Sequence, residues 1–235
     1  MDRHRPASWH RPRRLIAPRV CRYLRLAGQT AHAISPSLPP VTPSILGAVL
    51  AGGRSTRMGQ DKADVLVQGS TMLEMVATAV RPVSDQLIVL GPDREGWDCW
   101  PDSFHAQGPL AGVATALART DKDHVVLVAV DHPFVTTNTL RHLVEMADGL
   151  PIVPVDDHGV RQVTCAVYPK TIADAASQEA IGGGSVQSLL DRVSFTAVTS
   201  ESWRVWGEDG RSWFSADDPE SLSAGLSHFH GGNIG

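Results

Sequence analysis

The sequence is poor in cysteine and contains no long apolar segment. Its three cysteines (Cys21, Cys99 and Cys165) are odd in number, widely separated and never spaced as CxxC. This disfavours a zinc site or a disulfide framework and favours a reducing cytoplasm. No stretch approaches the ~18 apolar residues of a membrane span, and the amino-terminal segment lacks the apolar run of about 7–15 residues typical of a secretory signal. The composition therefore predicts a cytoplasmic protein with no membrane association.

Two common nucleotide-binding motifs are also missing. The motif GxxxxGK[ST] requires a lysine directly after its second glycine, whereas Gly59 here is followed by Gln-Asp-Lys. The dinucleotide-binding pattern GxGxxG does not occur. Any nucleotide site in this chain must therefore be built on a different loop.

Positive charge is scarce outside the amino-terminal segment. Residues 1–44 hold eight of the 21 basic residues, all arginine, against one acid, which leaves residues 45–235 with a net charge of −11. Residues 1–44 lack apolar periodicity and end in a Pro/Ser-rich stretch, so they are interpreted as a disordered leader or a translation start placed too far upstream. An RNA-binding arm remains the alternative, although no nucleic-acid partner is expected. The predicted organisation is a leader at 1–44, one domain at 45–226 and a flexible tail at 227–235.

From Ile45 onward, short apolar runs alternate with helical patterns. Thr71 and Glu74 have the spacing of a helix capping box. Alternating strands and helices predict an α/β fold with a mainly parallel sheet and right-handed crossovers. Strands are predicted at 45–53, 86–91, 124–130, 151–155 and 163–168, and helices after Thr71 and at 110–119, 136–147, 185–193 and 218–226.

The strongest functional signal is the string LAGGRSTRMGQDK, residues 50–62, which follows the first predicted strand. A strand that ends in Ala-Gly-Gly exposes backbone N–H groups, and glycine lets an anion approach the main chain closely. Three cations in one loop suit a triphosphate; they are Arg54, Arg57 and Lys62. The string predicts a loop that binds nucleotide phosphates.

Asp131 is the second signal, because it directly follows the apolar run VVLVAV. A carboxylate at the end of a buried strand, facing a phosphate loop, is well placed to hold Mg²⁺. The alternative is a turn or helix-capping aspartate. His132 is expected to be structural or solvent-facing, since Mg²⁺ prefers oxygen ligands.

The segment Gly108-Pro-Leu-Ala-Gly112 opens a predicted helix. Its glycines allow close packing against a bound base, and its N–H groups are available to a nucleotide; a tight entry turn is an equally good interpretation. Asp102, six residues earlier, is a candidate acceptor for a base or sugar, or else a surface acid. Gly182–Gly184 is interpreted as a flexible loop that closes over a second substrate, and core packing is the default for Trp203, Trp206 and Trp213.

Together these residues resemble the molybdenum cofactor guanylyltransferases, the MobA-like nucleotidyltransferases. The resemblance covers about residues 45–226. It runs in order through LAGGRSTRMGQDK, GPLAG, VDHPFV, VPVDDHGVRQVTCAVY, GGGSVQSLLDR and WFSADDPESL. It implies a Rossmann-like three-layer α/β sandwich, similar to the nucleotide-diphospho-sugar transferases.

The resemblance also implies a reaction and a set of site residues. Such enzymes use GTP and Mg²⁺ to attach GMP to the terminal phosphate of molybdenum-molybdopterin, releasing pyrophosphate. Other proteins of cofactor biosynthesis, or acceptor proteins, are conceivable partners. Nucleotide contacts are implied for Leu50, Ala51, Gly52, Gly53, Arg57, Lys62, Asp102 and Asp131, with Lys62 and Asp131 catalytic and Asp131 the metal ligand.

The chain departs from the family pattern in two places. Gly91-Pro92 follows the second strand where some members have an asparagine, and Asp217 stands where an asparagine is more usual. The related cytidylyltransferases read LAAG instead of LAGG and lack GPLAG, so the resemblance favours GTP over CTP. A related enzyme with CTP or another phosphorylated acceptor remains an alternative, as does a non-catalytic nucleotide-binding regulator.

Overall fold

The computed structural model describes residues 43–52, 60–104 and 108–230. Residues 1–42 of the predicted leader lie outside this range, and so do the alternatives for the role of that segment. Seven strands form one sheet in the order β5-β4-β1-β6-β8-β7-β9. The strands are β1 (Ile45–Leu50), β4 (Gln86–Leu90), β5 (Cys99–Trp100), β6 (His124–Ala129), β7 (Ile152–Pro154), β8 (Cys165–Pro169) and β9 (Thr196–Val198). A separate hairpin pairs β2 (Leu66–Val67) with β3 (Ser70–Thr71).

The sheet is mainly parallel, as predicted. Strands β5, β4, β1 and β6 pair in parallel, β7 pairs in parallel with β9, and only β8 within this sheet runs in the opposite direction. The reversal arises because β7 and β8 are joined by a turn instead of a helix. In that turn the Gly159 amide donates to the Asp156 carbonyl at 3.0 Å, and Gly159 has a φ of +79°.

Helices cover both faces of the sheet. The helices are α1 (Met72–Val80), α2 (Pro109–Arg119), α3 (Thr137–Glu145), α4 (Ala173–Ile181), α5 (Val186–Arg192), α6 (Ser200–Trp203) and α7 (Pro219–His230). Strand β1 shows the division: Ile45 and Val49 face a core shared with α1 and α3, whereas Leu46 and Ala48 face a core shared with α2, α4 and α5. This is the predicted three-layer sandwich. None of the described helices is long and apolar enough to cross a membrane.

Local signals explain most of the helix positions. Thr71 and Glu74 form both bonds of a capping box at the start of α1, and Thr136 caps α3. Helix α4 was not predicted, because its N-cap is Ile172, which makes no side-chain capping bond. Helix α7 extends to His230, so residues 227–230 are helical and not part of a flexible tail. Within that stretch Phe229 packs against Phe134 and Phe214, at centroid distances of 5.2 and 5.4 Å.

Candidate nucleotide site

The site lies where the sheet order reverses direction. After β1 the chain proceeds outward through β4 and β5, and it then returns to place β6 on the other side of β1. Such a switch point opens a crevice at the carboxyl ends of the strands, where ligands of α/β sheets bind. A cleft occupies this position and is lined by Leu50, Ala51, Gly52, Asp61, Lys62, Gly108, Pro109, Ala129, Val130, Asp131 and Thr164.

The backbone after β1 is held close to the end of β4. The Ala51 amide donates to the Leu90 carbonyl at 2.9 Å, so this N–H is already engaged in the sheet. Amides available to an anion therefore begin at Gly52, one residue later than the sequence suggested. Gly91 has a φ of +143°, and a Cβ there would lie 3.0 Å from the Gly52 nitrogen. Glycine at 91 is required by this close approach and by its positive φ.

Lys62 begins a short 3₁₀ turn, Lys62–Asp64. The residue before it, Asp61, caps this turn, because its carboxylate accepts a hydrogen bond from the Ala63 amide at 3.0 Å. The Lys62 side chain is 16% exposed. Its Nζ lies 2.5 Å from Asp217 Oδ1 and 3.8 Å from Asp131 Oδ2. The two residues predicted to be catalytic, Lys62 and Asp131, are therefore in one cleft and within ion-pair distance.

Asp131 follows β6, as the sequence predicted. Its carbonyl accepts from the Ala216 amide at 2.8 Å, and its Oδ2 accepts from the Ser215 hydroxyl at 3.2 Å. Its Oδ1 is buried and has no hydrogen-bond partner within the described ranges; the His132 Nε2 is 3.7 Å away. One carboxylate oxygen thus remains without a donor beside the cleft.

His132 is structural and almost fully buried, at 3% exposure. Its Nδ1 donates to the Phe214 carbonyl at 3.3 Å, so in the neutral ring the Nε2 accepts from the Thr164 hydroxyl at 2.9 Å. The imidazole therefore joins the end of β6 to the start of β8 and to the segment 214–217, which carries Asp217.

Sequence reasoning missed Glu208, a buried carboxylate that connects the loop 209–212 to α3. Its carboxylate is 5% exposed and accepts from the hydroxyls of Thr139 and Ser212, both at 2.5 Å. It also accepts from three amides, those of Asp209, Gly210 and Ser212. These five donors stabilise a buried carboxylate without a salt bridge. An isolated glutamate in a Trp- and Gly-rich loop gives no signal of this in the sequence.

The tryptophans near Glu208 belong to the core, in agreement with the default interpretation. Trp203 and Trp213 are 1% and 7% exposed and meet edge to face, with ring centroids 5.2 Å apart. Trp206 is partly buried and stacks on His142 at 4.8 Å. These contacts anchor the carboxy-terminal third of the chain to α3.

The two glycines of GPLAG have different roles. Gly108 has a φ of +71°, has nothing within 4 Å of its Cβ position and lines the cleft. A Cβ at Gly112, by contrast, would lie 2.5 Å from Leu50 Cδ1. Gly112 therefore allows α2 to pack closely on β1, which is a structural reason for a glycine at this position. Gly184 is also a packing glycine, since a Cβ there would overlap the Glu179 carboxylate.

Asp102 lies beside Gly52, with its Oδ2 3.8 Å from the position of a Gly52 Cβ. The residue as a whole is exposed, but local desolvation raises the pKa of its carboxyl above the ordinary value. Gly53, Arg54 and Arg57 lie outside the described residues, so their predicted contacts remain predictions.

The oxygen donors of the cleft fit a hard cation that is shared with substrate phosphates. Asp131 and Asp217 both lie within 4 Å of the Lys62 ammonium, and one oxygen of Asp131 has no donor among the residues that the structure describes. Mg²⁺ is usually held by one or two carboxylates together with phosphate oxygens and water. No cluster of three or more His, Cys, Asp or Glu suited to a metal occurs in the described part of the chain. The arrangement therefore suits substrate-assisted metal binding better than an all-protein metal cage.

Comparison with known proteins agrees with this geometry. The model of the MobA-like NTP transferase domain matches residues 47–197. A probable molybdenum cofactor guanylyltransferase of Pelotomaculum thermopropionicum is 31% identical over 186 residues, which cover 75% of this chain and 89% of the relative. A protein of the same description from Deinococcus radiodurans is 36% identical over 97 residues, which cover 40% of this chain and 50% of the relative's length.

The fold likewise has a solved counterpart. The crystal structure of molybdopterin-guanine dinucleotide biosynthesis protein A from Archaeoglobus fulgidus superposes with a TM-score of 0.69 at 24% identity, covering 79% of this chain and 99% of the other. The matched family model includes the carboxyl ends of both β1 and β6, which carry the cleft. The chain therefore belongs to the MobA-like NTP transferase domain family and is a nucleotidyltransferase.

Proposed function

We propose that this nucleotidyltransferase transfers GMP from GTP to the terminal phosphate of molybdenum-molybdopterin, giving the guanine dinucleotide form of the cofactor and pyrophosphate. The observation that carries the proposal is the meeting of Lys62 and Asp131 in the cleft between β1 and β6. The names of the relatives from Pelotomaculum and Deinococcus support the choice of donor and acceptor.

The chemistry needs little proton transfer. A phosphate oxygen of the acceptor is already anionic at neutral pH, so the nucleophile requires no dedicated general base. The protein's task is to align the two phosphates and to neutralise charge on the departing pyrophosphate. Lys62 supplies a positive charge inside the cleft, while Gly52, which also lines the cleft, leaves room for the phosphates to approach the main chain.

We further propose that the reaction depends on Mg²⁺, held by Asp131 with Asp217 nearby. The Asp131 Oδ1, which has no hydrogen-bond donor in the described part of the chain, supports this assignment. When bound, the ion would neutralise the phosphate oxygens of the donor nucleotide. Ser215 and the Ala216 amide hold Asp131 in position from the other side.

The preference for guanine rests on the LAGG and GPLAG segments. Gly52, Gly108 and Pro109 line the cleft, and Asp102 lies next to Gly52 as a hydrogen-bond acceptor for a base or sugar. Gly112, the second glycine of GPLAG, packs against Leu50.

The proposal is tested by incubating the full chain with a nucleotide, Mg²⁺ and a protein that carries molybdenum-molybdopterin, followed by mass analysis of the released cofactor. GTP is expected to add the mass of GMP and to release pyrophosphate, whereas CTP, or GTP with excess chelator, should give no product. Transfer from CTP in preference to GTP would reject the donor. Nucleotide-dependent pyrophosphate release with a different phosphorylated acceptor, but none with molybdopterin, would reject the acceptor.

A further inference from the structure

Arg94 connects the loop after β4 to the turn that carries Lys62. Its Nη2 donates to Asp61 Oδ2 at 2.5 Å, and its Nη1 donates to Asp64 Oδ1 at 2.8 Å. Asp61 and Asp64 flank the turn on either side of Lys62 and Ala63. One planar guanidinium thus spans the whole turn, which lysine, as a point charge, could not do with the same geometry.

The burial of Arg94 separates this contact from an ordinary surface ion pair. Its side chain is 11% exposed, although Asp61 and Asp64 are 39% and 66% exposed. Exposed ion pairs contribute little because water screens them and both side chains lose conformational freedom. The Arg94 guanidinium is largely removed from water and bonds both carboxylates. It therefore fixes the positions of Asp61 and Asp64 more strongly than an exposed ion pair would.

The remaining bonds of the turn transmit that geometry to Lys62. The other carboxylate oxygen of Asp61 accepts from the Ala63 amide, and the Lys62 carbonyl accepts from the Val65 amide at 3.2 Å. The Ala63 side chain is fully buried in the core. Lys62 is therefore held between a residue anchored by Arg94 and a residue anchored by packing, and its side chain extends from this base into the cleft.

We propose that Arg94 is a positioning residue for the donor nucleotide: it acts through Asp61 to fix the turn from which Lys62 reaches the phosphates. The inference rests on the nucleotide binding at Lys62 that the proposed function assumes. It does not depend on which acceptor the enzyme uses. Loss of the Arg94 guanidinium would leave Asp61 and Asp64 without their common cation. The turn could then shift, and the Lys62 ammonium would move away from its position in the cleft.

The test is a double-mutant cycle read by ligand binding. Arg94→Gln, Lys62→Ala and the double variant would be titrated as full-length proteins with Mg²⁺-GTP, Mg²⁺-CTP and inorganic pyrophosphate. In the natural protein, Arg94→Gln is expected to weaken ligand binding by about tenfold. In the Lys62→Ala variant, the same substitution is expected to weaken it by less than about threefold. Arg94→Lys should fall between Arg94→Gln and the natural protein, because it keeps the charge but loses the fork.

Arg204→Gln serves as the matched control. Arg204 pairs with Asp157 at 2.7 Å, is 62% exposed and does not line the cleft, so its loss should leave affinity unchanged. Equal weakening by Arg94→Gln in both Lys62 backgrounds would overturn the inference, as would a lower melting temperature with unchanged affinity. A natural protein that binds CTP or pyrophosphate but not GTP would reject the proposed donor. The effect of Arg94→Gln in the two Lys62 backgrounds would then be measured as the change in affinity for the ligand that does bind.

Discussion

The Lys62 ammonium lies 2.5 Å from the Asp217 carboxylate, although 155 residues separate the two in the chain. Asp217 belongs to the segment 214–217, which is hydrogen-bonded to the end of β6. His132 bonds the Phe214 carbonyl, and Asp131 bonds the Ser215 hydroxyl and the Ala216 amide. The nucleotide cleft is therefore completed by the carboxy-terminal part of the chain. Phosphates that approach Lys62 must share this cation with Asp217.

Replacement of Asp217 tests how that sharing works. Asp217→Asn should keep the rate of transfer within about threefold of the natural protein, because the amide oxygen can accept the same hydrogen bond from Lys62. Asp217→Ala should lower the rate of transfer by about tenfold, since the Lys62 side chain then lacks the carboxylate that it contacts in the natural protein. The KM for the nucleotide and kcat would be measured for both. An asparagine variant as impaired as the alanine variant would show that the negative charge itself is needed.

Removal of Lys62 or Asp131 should affect chemistry far more than folding. Lys62→Ala and Asp131→Ala are each expected to lower nucleotidyl transfer by at least about 10²-fold, the scale of losing one electrostatic stabiliser in a closed site. The Asp131 carbonyl keeps its bond to the Ala216 amide in the variant, because that bond is made by the main chain. Single-turnover rates with saturating nucleotide, together with melting temperatures, give the comparison. Near-normal turnover in either folded variant would contradict the assignment.

Glu208 should be important for stability. Glu208→Ala leaves the buried hydroxyls of Thr139 and Ser212 without their acceptor, and we expect it to reduce the free energy of unfolding by about 3 kcal/mol. Glu208→Gln should reduce the free energy of unfolding by a smaller amount, because the glutamine amide retains one acceptor oxygen. Urea unfolding of both variants would be compared with Glu201→Ala, at an exposed position. A loss no larger than that of the Glu201 variant would show that the hydrogen bonds of Glu208 contribute little.

His124 should make the protein less stable in mild acid. It is 7% exposed at the start of β6, and neither ring nitrogen has a hydrogen-bond partner among the residues described. Burial lowers the pKa of His124 below its ordinary value of 6.5, although Asp123 and Asp148 act to raise it. The unfolded chain therefore binds a proton more readily than the folded one. The stability due to neutral His124 is present above about pH 6.5 and is lost as the pH falls below it.

The measurement for His124 is urea unfolding at about pH 7.5 and about pH 5.5. His124→Phe should lose less stability across this interval than the natural protein, whereas a change at the exposed His158, as in His158→Gln, should not alter the difference. Asp123 titrates outside the interval, because hydrogen bonds from the Ser44 amide and hydroxyl lower the pKa of its carboxyl below 3.8. An unchanged pH dependence in the phenylalanine variant would contradict the prediction.

Much of the fold could be predicted from local patterns. Continuous apolar runs such as HVVLVA identified the buried strands, and Thr71 with Glu74 located the start of α1. Short or weakly marked elements could not be found in this way: β5 has two residues, β9 has three, and α4 has no capping side chain. The antiparallel direction of β8 was also hidden, because an apolar strand reads the same in either direction.

The sequence by itself determined the class of site. The predicted site residues Leu50, Ala51, Gly52, Lys62 and Asp131 line one cleft, because the carboxyl ends of neighbouring parallel strands meet at one edge of a sheet. Only the tertiary structure decided which groups support them. Arg94 contacts the turn that carries Lys62, and Asp217 contacts Lys62 itself, each from a segment distant in the chain. Such contacts depend on packing in three dimensions and leave no periodic pattern in the sequence.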